Sequence, residues 1–219
     1  MDRITDAFAW PARDPEWLAK LTVIGLILLI PVVGSINGLG WMLASLDRLR
    51  AGDEKLAPAN LRYIGRGFRL FVVDLVYGLV IAAIAAAIYV PALIVASNQS
   101  HGSANPALIS LAIALSLLAF SVATLGSLAL NFVMPSIVLA TDSRGIAGGL
   151  HAGAVLRHAR ANIASTLIAG LMLIAAGFIG SLGLVACGIG VLFTTAYALA
   201  MQAWVVRSFE IGSPAATAA

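Results

Sequence analysis

The chain has 219 residues, of which 61% are hydrophobic and 11% are charged. A soluble domain has roughly 45–50% apolar and about 25% charged residues, so this composition excludes an ordinary soluble fold. The formal net charge is +3, but the basic residues are grouped between apolar stretches, as in membrane proteins. We therefore expect an integral membrane protein and no nucleic-acid partner.

Four stretches with few or no charges make up most of the chain: 21–46, 70–96, 107–141 and 163–206. About 20 apolar residues cross a hydrocarbon core of about 30 Å. By this measure the second stretch is one span, and the third is one span that runs a turn or two beyond Pro135.

The fourth stretch is long enough for two spans. Glycines at 180, 183, 188 and 190 favour a tight reversal between them. The sequence thus predicts an all-α polytopic membrane helix bundle with four full spans, at 70–96, 107–135, 163–182 and 188–206. Residues 1–212 would form one membrane domain, and 213–219 a disordered tail.

The first stretch, 21–46, has two interpretations. As a single kinked helix it would be about 39 Å long and would place Trp17 and Trp41 near opposite interfaces. As a hairpin broken at Pro31 and Gly34 it would have two legs of about 20 Å, with both ends on the same side. Neighbouring helices would shield the break, because lipid cannot satisfy its backbone. We favour the hairpin because it leaves all Lys and Arg on one side, with five spans as the alternative.

The basic residues predict the orientation. Six of the thirteen Lys and Arg residues lie in 47–69, three lie in 142–162, and Arg207 follows the last span, whereas the connections 97–106 and 180–190 have none. Because Lys and Arg mark cytoplasmic loops, we expect a multi-pass protein of the bacterial inner (plasma) membrane. Both termini would be cytoplasmic, and 97–106 would be an outer loop.

The two basic segments also have amphipathic patterns. Apolar residues recur at three- and four-residue intervals in 57–71 and again in 146–163, with basic residues on the other side. The basic side of the second segment contains His151, Arg157, His158 and Arg160. Such helices lie in the headgroup plane, where each cation contributes about 1 kcal/mol of attraction to anionic lipid. The expected partners are therefore the bilayer and its anionic headgroups.

Asp74 is the one acidic residue inside a predicted span, which makes it a candidate proton or cation site. It follows Arg69 by five residues, or about 7.5 Å along a helix. We therefore favour an ion pair with Arg66, Arg69 or a cation on another helix, near the cytoplasmic interface, over a transport role.

Other candidate residues carry weaker signals. His151 and His158 would share one face of the interfacial helix, and we expect them to face the headgroups rather than to form a pH sensor. Asn131 is expected to hydrogen-bond a neighbouring helix rather than a ligand.

The break at Pro31 and Gly34 could expose backbone groups to a substrate, as broken helices do in transporters. Arg157 and Arg160 are candidates for lipid contacts.

The sequence has no paired acids at catalytic spacing, no serine elbow and no phosphate-binding glycine loop. Its one cysteine, Cys187, has no evident base partner and is expected to be a small buried hydrophobe. We therefore expect no catalytic residue, no cofactor and no metal ligand. The expected role is a non-enzymatic accessory, scaffold or lipid-interacting module, with a membrane-protein partner or a second copy as a further partner. A small transporter or channel subunit is the alternative.

Several short motifs are similar in order to those of one family. They are Asp14-Pro15-Glu16-Trp17, Ile30-Pro31-Val32-Val33-Gly34, Gly40-Trp41, Arg157-His158-Ala159-Arg160 and Cys187-Gly188-Ile189-Gly190. In this order the chain resembles, from about residue 8 to 209, a bacterial and archaeal membrane family catalogued as domain of unknown function 4013. Two places depart from the family pattern: Leu56-Ala57-Pro58-Ala59-Asn60 and Ser165-Thr166. The resemblance implies a membrane architecture and no activity.

Overall fold

The computed structural model describes residues 4–99, 105–183 and 189–213. Throughout these ranges the regular structure is helical, which confirms the predicted all-α fold class. Two 3-10 helices, Ile4–Phe8 and Trp10–Arg13, precede the α-helices. The described α-helices are α1 (Trp17–Leu28), α2 (Val33–Arg50), α3 (Ile64–Gln99), α4 (Pro106–Leu150), α5 (Ala152–Ala161), α6 (Ile163–Leu182) and α7 (Ile189–Gly212).

Three of these helices are long and apolar enough to cross a membrane: Ile64–Asn98, Pro106–Leu150 and Ile163–Leu182. Large apolar side chains project from all three, including Leu79, Leu117 and Phe178. Apolar surface of this extent is unfavourable in water and matches a lipid surrounding. The three helices therefore fit a membrane helix bundle, while the number of spans remains a prediction.

The chain forms two compact units: unit 1 comprises Met1–Val73 and Asn131–Ala219, and unit 2 is Asp74–Leu130. Unit 2 consists of the later part of α3 and the earlier part of α4. A Cβ at Gly126 would lie 3.0 Å from the Ile81 side chain, so the two helices approach closely there. The predicted outer loop lies partly outside the described residues.

The helix α4 consists of two helical parts joined by a kink. The first part continues through Pro135, and the second ends at Leu150. Its helical geometry is interrupted at Gly145, where φ is +70° and ψ is −162°. The physical reason is that glycine adopts positive φ without a steric penalty, so the kink occurs there and not at Pro135.

In unit 1, α7 is the central helix, and α1, α2 and α6 pack against it. Helix α1 runs antiparallel to α7: Gly25 lies beside Leu192, and the rings of Trp17 and Tyr197 are 6.5 Å apart. A Cβ at Gly25 would lie 2.8 Å from the Leu192 carbonyl oxygen, so a larger residue there would push the helices apart.

The helices α6 and α7 form the predicted antiparallel pair. The Thr194 hydroxyl donates to the Gly180 carbonyl at 2.8 Å, and the Ser165 hydroxyl donates to the Gly212 carbonyl at 3.3 Å near the other end. The predicted reversal between them, with Cys187 and Gly188, lies outside the described residues, as does most of the predicted tail (214–219).

The helix break that Pro31 and Gly34 predict is present, between α1 and α2. Val32 has a φ of +65°, and Gly34 lies against the Ile27 carbonyl, where a Cβ would not fit. The stretch 21–46 is therefore two packed helices rather than one continuous helix. Trp41, expected near an interface in the single-helix interpretation, is fully buried.

The expected shielding of this break is wrong in part. Gly34 is buried, but the side chains of Ile30, Val32 and Val33 are exposed. Two N–H groups of the break are satisfied locally instead: the N–H of Val33 donates to the Pro31 carbonyl at 2.7 Å, and that of Gly34 to the Ile30 carbonyl at 2.8 Å. A turn that bonds its own backbone can face lipid without a large penalty.

The segment between α2 and α3 runs back along α2 and is held by a stripe of three side chains. Asn37, Trp41 and Ser45 recur at four-residue intervals and so lie on one face of α2. The Trp41 indole N–H donates to the Ala57 carbonyl at 3.0 Å, and the Ala57 N–H donates to the Ser45 hydroxyl at 3.2 Å. The Asn37 amide donates to the Asn60 carbonyl at 2.9 Å.

This segment corrects the predicted helix at 57–71. Helix α3 begins at Ile64, and 57–63 is not helical. Pro58 cannot donate a helical hydrogen bond, and the polar stripe on α2 offers its neighbours side-chain partners instead. The apolar periodicity continues into α3, which is why the sequence did not show where the helix starts.

Two glycines allow α3 to begin in direct contact with α2. A Cβ at Gly67 would overlap the Ile36 carbonyl oxygen, and a Cβ at Gly40 would overlap the Tyr63 carbonyl oxygen. Backbone therefore packs on backbone at this crossing, as in small-residue contacts between membrane helices.

The close contact between α2 and α3 can be tested at Gly67, with Gly65 in the same helix as the control. We expect Gly67→Ala to lower the free energy of unfolding by about 1–3 kcal/mol, because the added methyl group overpacks the contact. Gly65→Ala, two residues earlier, meets nothing within 4 Å and is expected to be neutral or slightly stabilising. Denaturant titration in mixed micelles measures both; equal stability of the two variants would contradict the close crossing.

Candidate functional site

A charge network joins four helices of unit 1. It consists of three arginines and three acids: Arg50, Arg66, Arg207, Asp47, Asp142 and Glu210. Asp142 lies between two of the arginines, 2.7 Å from Arg50 Nη1 and 2.7 Å from Arg66 Nη2. Glu210 lies 3.0 Å from Arg50 Nη2. The network is charge-balanced and connects α2, α3, α4 and α7.

The electrostatics of the network keep it ionised. Burial raises the pKa of Asp47, but hydrogen bonds from Arg66 and Arg50 outweigh this and hold it below its usual value. Burial likewise lowers the pKa of Arg50, and hydrogen bonds to Glu210 and Asp142 more than reverse the effect. A carboxyl group whose pKa is lowered in the folded protein stabilises the fold at pH values above its unfolded pKa of about 3.9. This stabilisation is lost as the pH falls through the lower pKa of the folded state.

The N-terminal segment lies against the loop that follows α2. The Trp10 indole N–H donates to the Glu54 carbonyl at 2.8 Å, and the Leu56 N–H donates to Asp14 Oδ2 at 2.9 Å. Asp14 is buried and lies 2.7 Å from Lys20 Nζ. Burial raises its pKa, but the bonds from Lys20 and the backbone outweigh burial and lower it. These contacts place the start of α1 near the C-terminal end of α2.

Two cavities in unit 1 flank the network. The larger cavity, of about 520 Å³, lies between α4, α5 and the C-terminal part of α7. Its charged and polar lining includes Arg50, Ser136, Arg144, Arg157, His158 and Glu210. The smaller cavity, of about 480 Å³, is lined by Leu43, Gly65, Arg66, Arg69, Thr141 and Asp142.

Three buried side-chain polar atoms among the described residues lack a hydrogen-bond partner: Ser136 Oγ, Thr141 Oγ1 and His158 Nε2. All three residues line these cavities: Ser136 and His158 the larger one, Thr141 the smaller one. An unsatisfied buried polar group costs about 1–3 kcal/mol. The cavities are therefore where a polar ligand or ordered water would be most favourable.

The structure separates the predicted site residues. Asp74 lies in α3 within unit 2 and belongs to none of the ion pairs among the described residues, so the expected ion pair with Arg66, Arg69 or another cation is not observed. Arg66 pairs with Asp47 and Asp142 instead. Asn131 lies within α4, and Pro31 and Gly34 lie at the break between α1 and α2.

The predicted interfacial segment 146–163 is only partly one helix. Arg157 and Arg160 are exposed on α5, and of the two only Arg157 lines the larger cavity. His151 precedes α5 as its N-cap residue and is exposed, whereas His158 is half-buried, with its ring 5.7 Å from that of Phe209. His151 therefore lies at the start of the helix and only His158 lies within it, and the expectation that both face the headgroups stays a prediction.

Sequence reasoning missed the charge network itself. The two basic segments begin at Asp47 and Asp142, but the sequence pattern indicates no partner for these acids or for Glu210. The sequence feature that could have indicated the network is that each of these acids lies close to an arginine at the end of an apolar stretch. No group of three His, Cys, Asp or Glu side chains suited to a metal ion occurs in the described part of the chain.

Fold and site together define an all-helical protein that fits a membrane helix bundle and in which a charge network connects four helices. The chain belongs to the family described as protein of unknown function (DUF4013), whose model matches residues 23–189. The family resemblance seen in the sequence is thereby confirmed. No curated protein and no solved structure matches the chain. The matched range contains Asp47, Arg50, Arg66 and Asp142, but not Glu210.

The network predicts a large effect at Asp142, whose side chain is only 12% exposed. Asp142→Asn removes the carboxylate charge that pairs with Arg50 and Arg66, two partly buried arginines. It should therefore lower the free energy of unfolding by about 3 kcal/mol. Asp53→Asn removes a more exposed ion pair with Arg48 and should lower it much less. Titration with denaturant in mixed micelles compares the two, and equal losses would show that the network is not a stabilising unit.

His158 provides a prediction in pH. Burial lowers the pKa of its imidazole, so NMR should show His158 titrating below the ordinary value of about 6.5. Because the unfolded chain then binds the proton more readily, stability should fall as the pH falls below about 6.5. His158→Gln should remove this part of the pH dependence, and His151→Gln at the exposed N-cap should retain it. A His158 pKa above 6.5 would contradict the burial.

Proposed function

We propose that the protein is a non-enzymatic, multi-pass membrane protein that interacts with lipid. It would serve as an accessory or scaffold. The observation that carries the proposal is the combination of α5 with the charge network. Three long apolar helices provide the membrane anchor, while the network neutralises its own charges. Arg157 and Arg160, which are exposed and belong to none of the ion pairs among the described residues, are then left to attract anionic lipid.

The surface of α5 supports a position at the membrane interface. Leu156 is 42% exposed, and Ile163 at the start of the next helix is 62% exposed. Arg157 and Arg160 are exposed close to these apolar side chains. A helix that exposes apolar and cationic side chains together favours the boundary between headgroups and acyl chains.

The proposed orientation has both termini on the cytoplasmic side of a bacterial inner membrane. The N-terminal segment contacts the loop after α2 through Trp10, and the ring of Trp10 lies 5.7 Å from that of Trp204 near the end of α7. Glu210, further along α7, pairs with Arg50 at the end of α2. These contacts support one common side for the basic segments, in accord with the bias of Lys and Arg towards the cytoplasm.

Anionic phospholipid is the proposed partner, with a membrane protein or a second copy as an additional one through the exposed apolar helices. A transporter or channel subunit remains the second candidate. One observation favours it: Asp74 stands in a span without an ion pair among the described residues, as proton and cation sites often do. This alternative would be supported if the protein carried a proton or cation flux in liposomes and if Asp74→Asn abolished that flux while remaining stably folded.

The lipid proposal is tested by lipid selectivity. Native mass spectrometry of the detergent-solubilised protein, with equal phosphatidylglycerol and phosphatidylcholine, measures the ratio of the two lipids bound. Arg160→Gln should lower the preference for phosphatidylglycerol about fivefold, because one cation near the surface contributes about 1 kcal/mol. Lys55→Gln is the matched control, since Asp53 and Glu54 neighbour that charge. Equal uptake of both lipids by the wild-type protein would contradict the proposal.

A further inference from the structure

We propose that the larger cavity binds one phosphate group, supplied by the glycerophosphate headgroup of an anionic membrane lipid. The inference deepens the proposed lipid interaction and rests on it, but it names a discrete site instead of a charged surface. The cavity volume of about 520 Å³ lies within the range of roughly 300–1,000 Å³ found for small-molecule sites.

The first argument is the unsatisfied lining. Ser136 is only 2% exposed, yet its hydroxyl has no partner, and the buried His158 Nε2 also has none. Two other serines of the cavity are satisfied: Ser143 donates to the Leu139 carbonyl at 2.8 Å, and Ser213 donates to the Phe209 carbonyl at 2.6 Å. Ser136 is thus prepared to donate to a ligand, and phosphate oxygens are strong acceptors.

The second argument is the charge of the lining. Arg50 and Glu210 are engaged in the charge network, which is neutral in itself. Arg157 adds a positive charge to the cavity and belongs to none of the ion pairs among the described residues. A guanidinium group binds phosphate through two parallel hydrogen bonds. With Arg144 also in the lining, the charged side chains of the cavity are three arginines and one glutamate, so the cavity offers a net positive charge and neutral polar groups to one anion.

The third argument concerns the source of the phosphate. Leu156 is exposed on α5 directly before Arg157, and Ile163 is exposed just after that helix. Exposed apolar side chains on and just after α5, the helix that supplies Arg157, favour a ligand that carries acyl chains. A soluble organic phosphate would share the headgroup chemistry but would gain nothing from these residues.

The test uses two serine variants of the same cavity. Binding of phosphatidylglycerol to the detergent-solubilised full chain is followed by the shift of its thermal unfolding midpoint. Ser136→Ala should weaken binding roughly tenfold, because it removes a hydrogen bond to a charged acceptor. Ser143→Ala makes the same change at a hydroxyl that is already bonded and should alter the affinity less than about twofold. Equal affinity of wild type and both variants would overturn the site.

Stability without lipid gives a second readout. Ser136→Ala should unfold at the same or a higher temperature than wild type, since it removes an unpaired buried hydroxyl. A midpoint several degrees lower than that of Ser143→Ala would show that the Ser136 hydroxyl is bonded within the fold, and would overturn the inference.

Two further ligands distinguish the source and the chemistry. Glycerol 3-phosphate should bind more weakly than phosphatidylglycerol and show the same loss in Ser136→Ala. Equal affinity for the two would overturn the lipid source and assign the site to a soluble phosphate. A phosphate-free anionic lipid, the hemisuccinate of dioleoylglycerol, should be insensitive to Ser136→Ala; an equal loss would overturn the assignment to phosphate.

A comparison of Arg157 with Arg160 separates failure of this site from failure of the proposed function. Arg157→Gln should weaken phosphatidylglycerol binding at least fivefold more than Arg160→Gln, because only Arg157 lines the cavity. Equal weakening by both variants would overturn the cavity site and leave the lipid-attracting surface in place. No anionic-lipid preference in any variant would overturn both.

Discussion

Backbone hydrogen bonding is the constraint on which unit 1 depends. In a membrane no solvent satisfies a free N–H or carbonyl, so non-helical segments persist only where the protein supplies partners. The loop after α2 meets this demand with the side chains of Asn37, Trp41 and Ser45. The turn before α2 meets it within its own backbone. Together these hydrogen bonds stabilise a non-helical loop and an apolar turn in a chain with few charged residues.

The position of the loop in turn brings the charges together. Because the segment 51–63 runs back along α2, α3 begins beside Gly40 and not beyond the end of α2. Arg66 then reaches Asp47 and Asp142, and Arg50 connects both acids to Glu210. Members of the network line both cavities, Arg50 and Glu210 the larger one and Arg66 and Asp142 the smaller one. The geometry of the candidate lipid site therefore depends on the loop that precedes α3.

The sequence predicted the features that depend on composition and local chemistry. The apolar stretches indicated the all-α fold, Pro31 and Gly34 indicated the break between α1 and α2, and the glycines after 180 indicated the boundary between α6 and α7. The sequence could not predict the loop at 57–63. A helix and a segment that is held by side chains of a neighbouring helix can have the same amphipathic periodicity. The charge network was equally inaccessible, since its members are separated by up to 163 residues and meet only through the fold.

The central claim is that the first apolar stretch folds back on itself, so that the N-terminal segment and the end of α7 lie on one side of the membrane. Single cysteines at Ala12 and at Ile211, in a Cys187→Ser background, test this with a membrane-impermeant reagent. Both residues are exposed, and we expect both to be labelled from the cytoplasmic side in oriented vesicles. Labelling of Ala12 from the opposite side to Ile211 would contradict the hairpin and the common side of the basic segments.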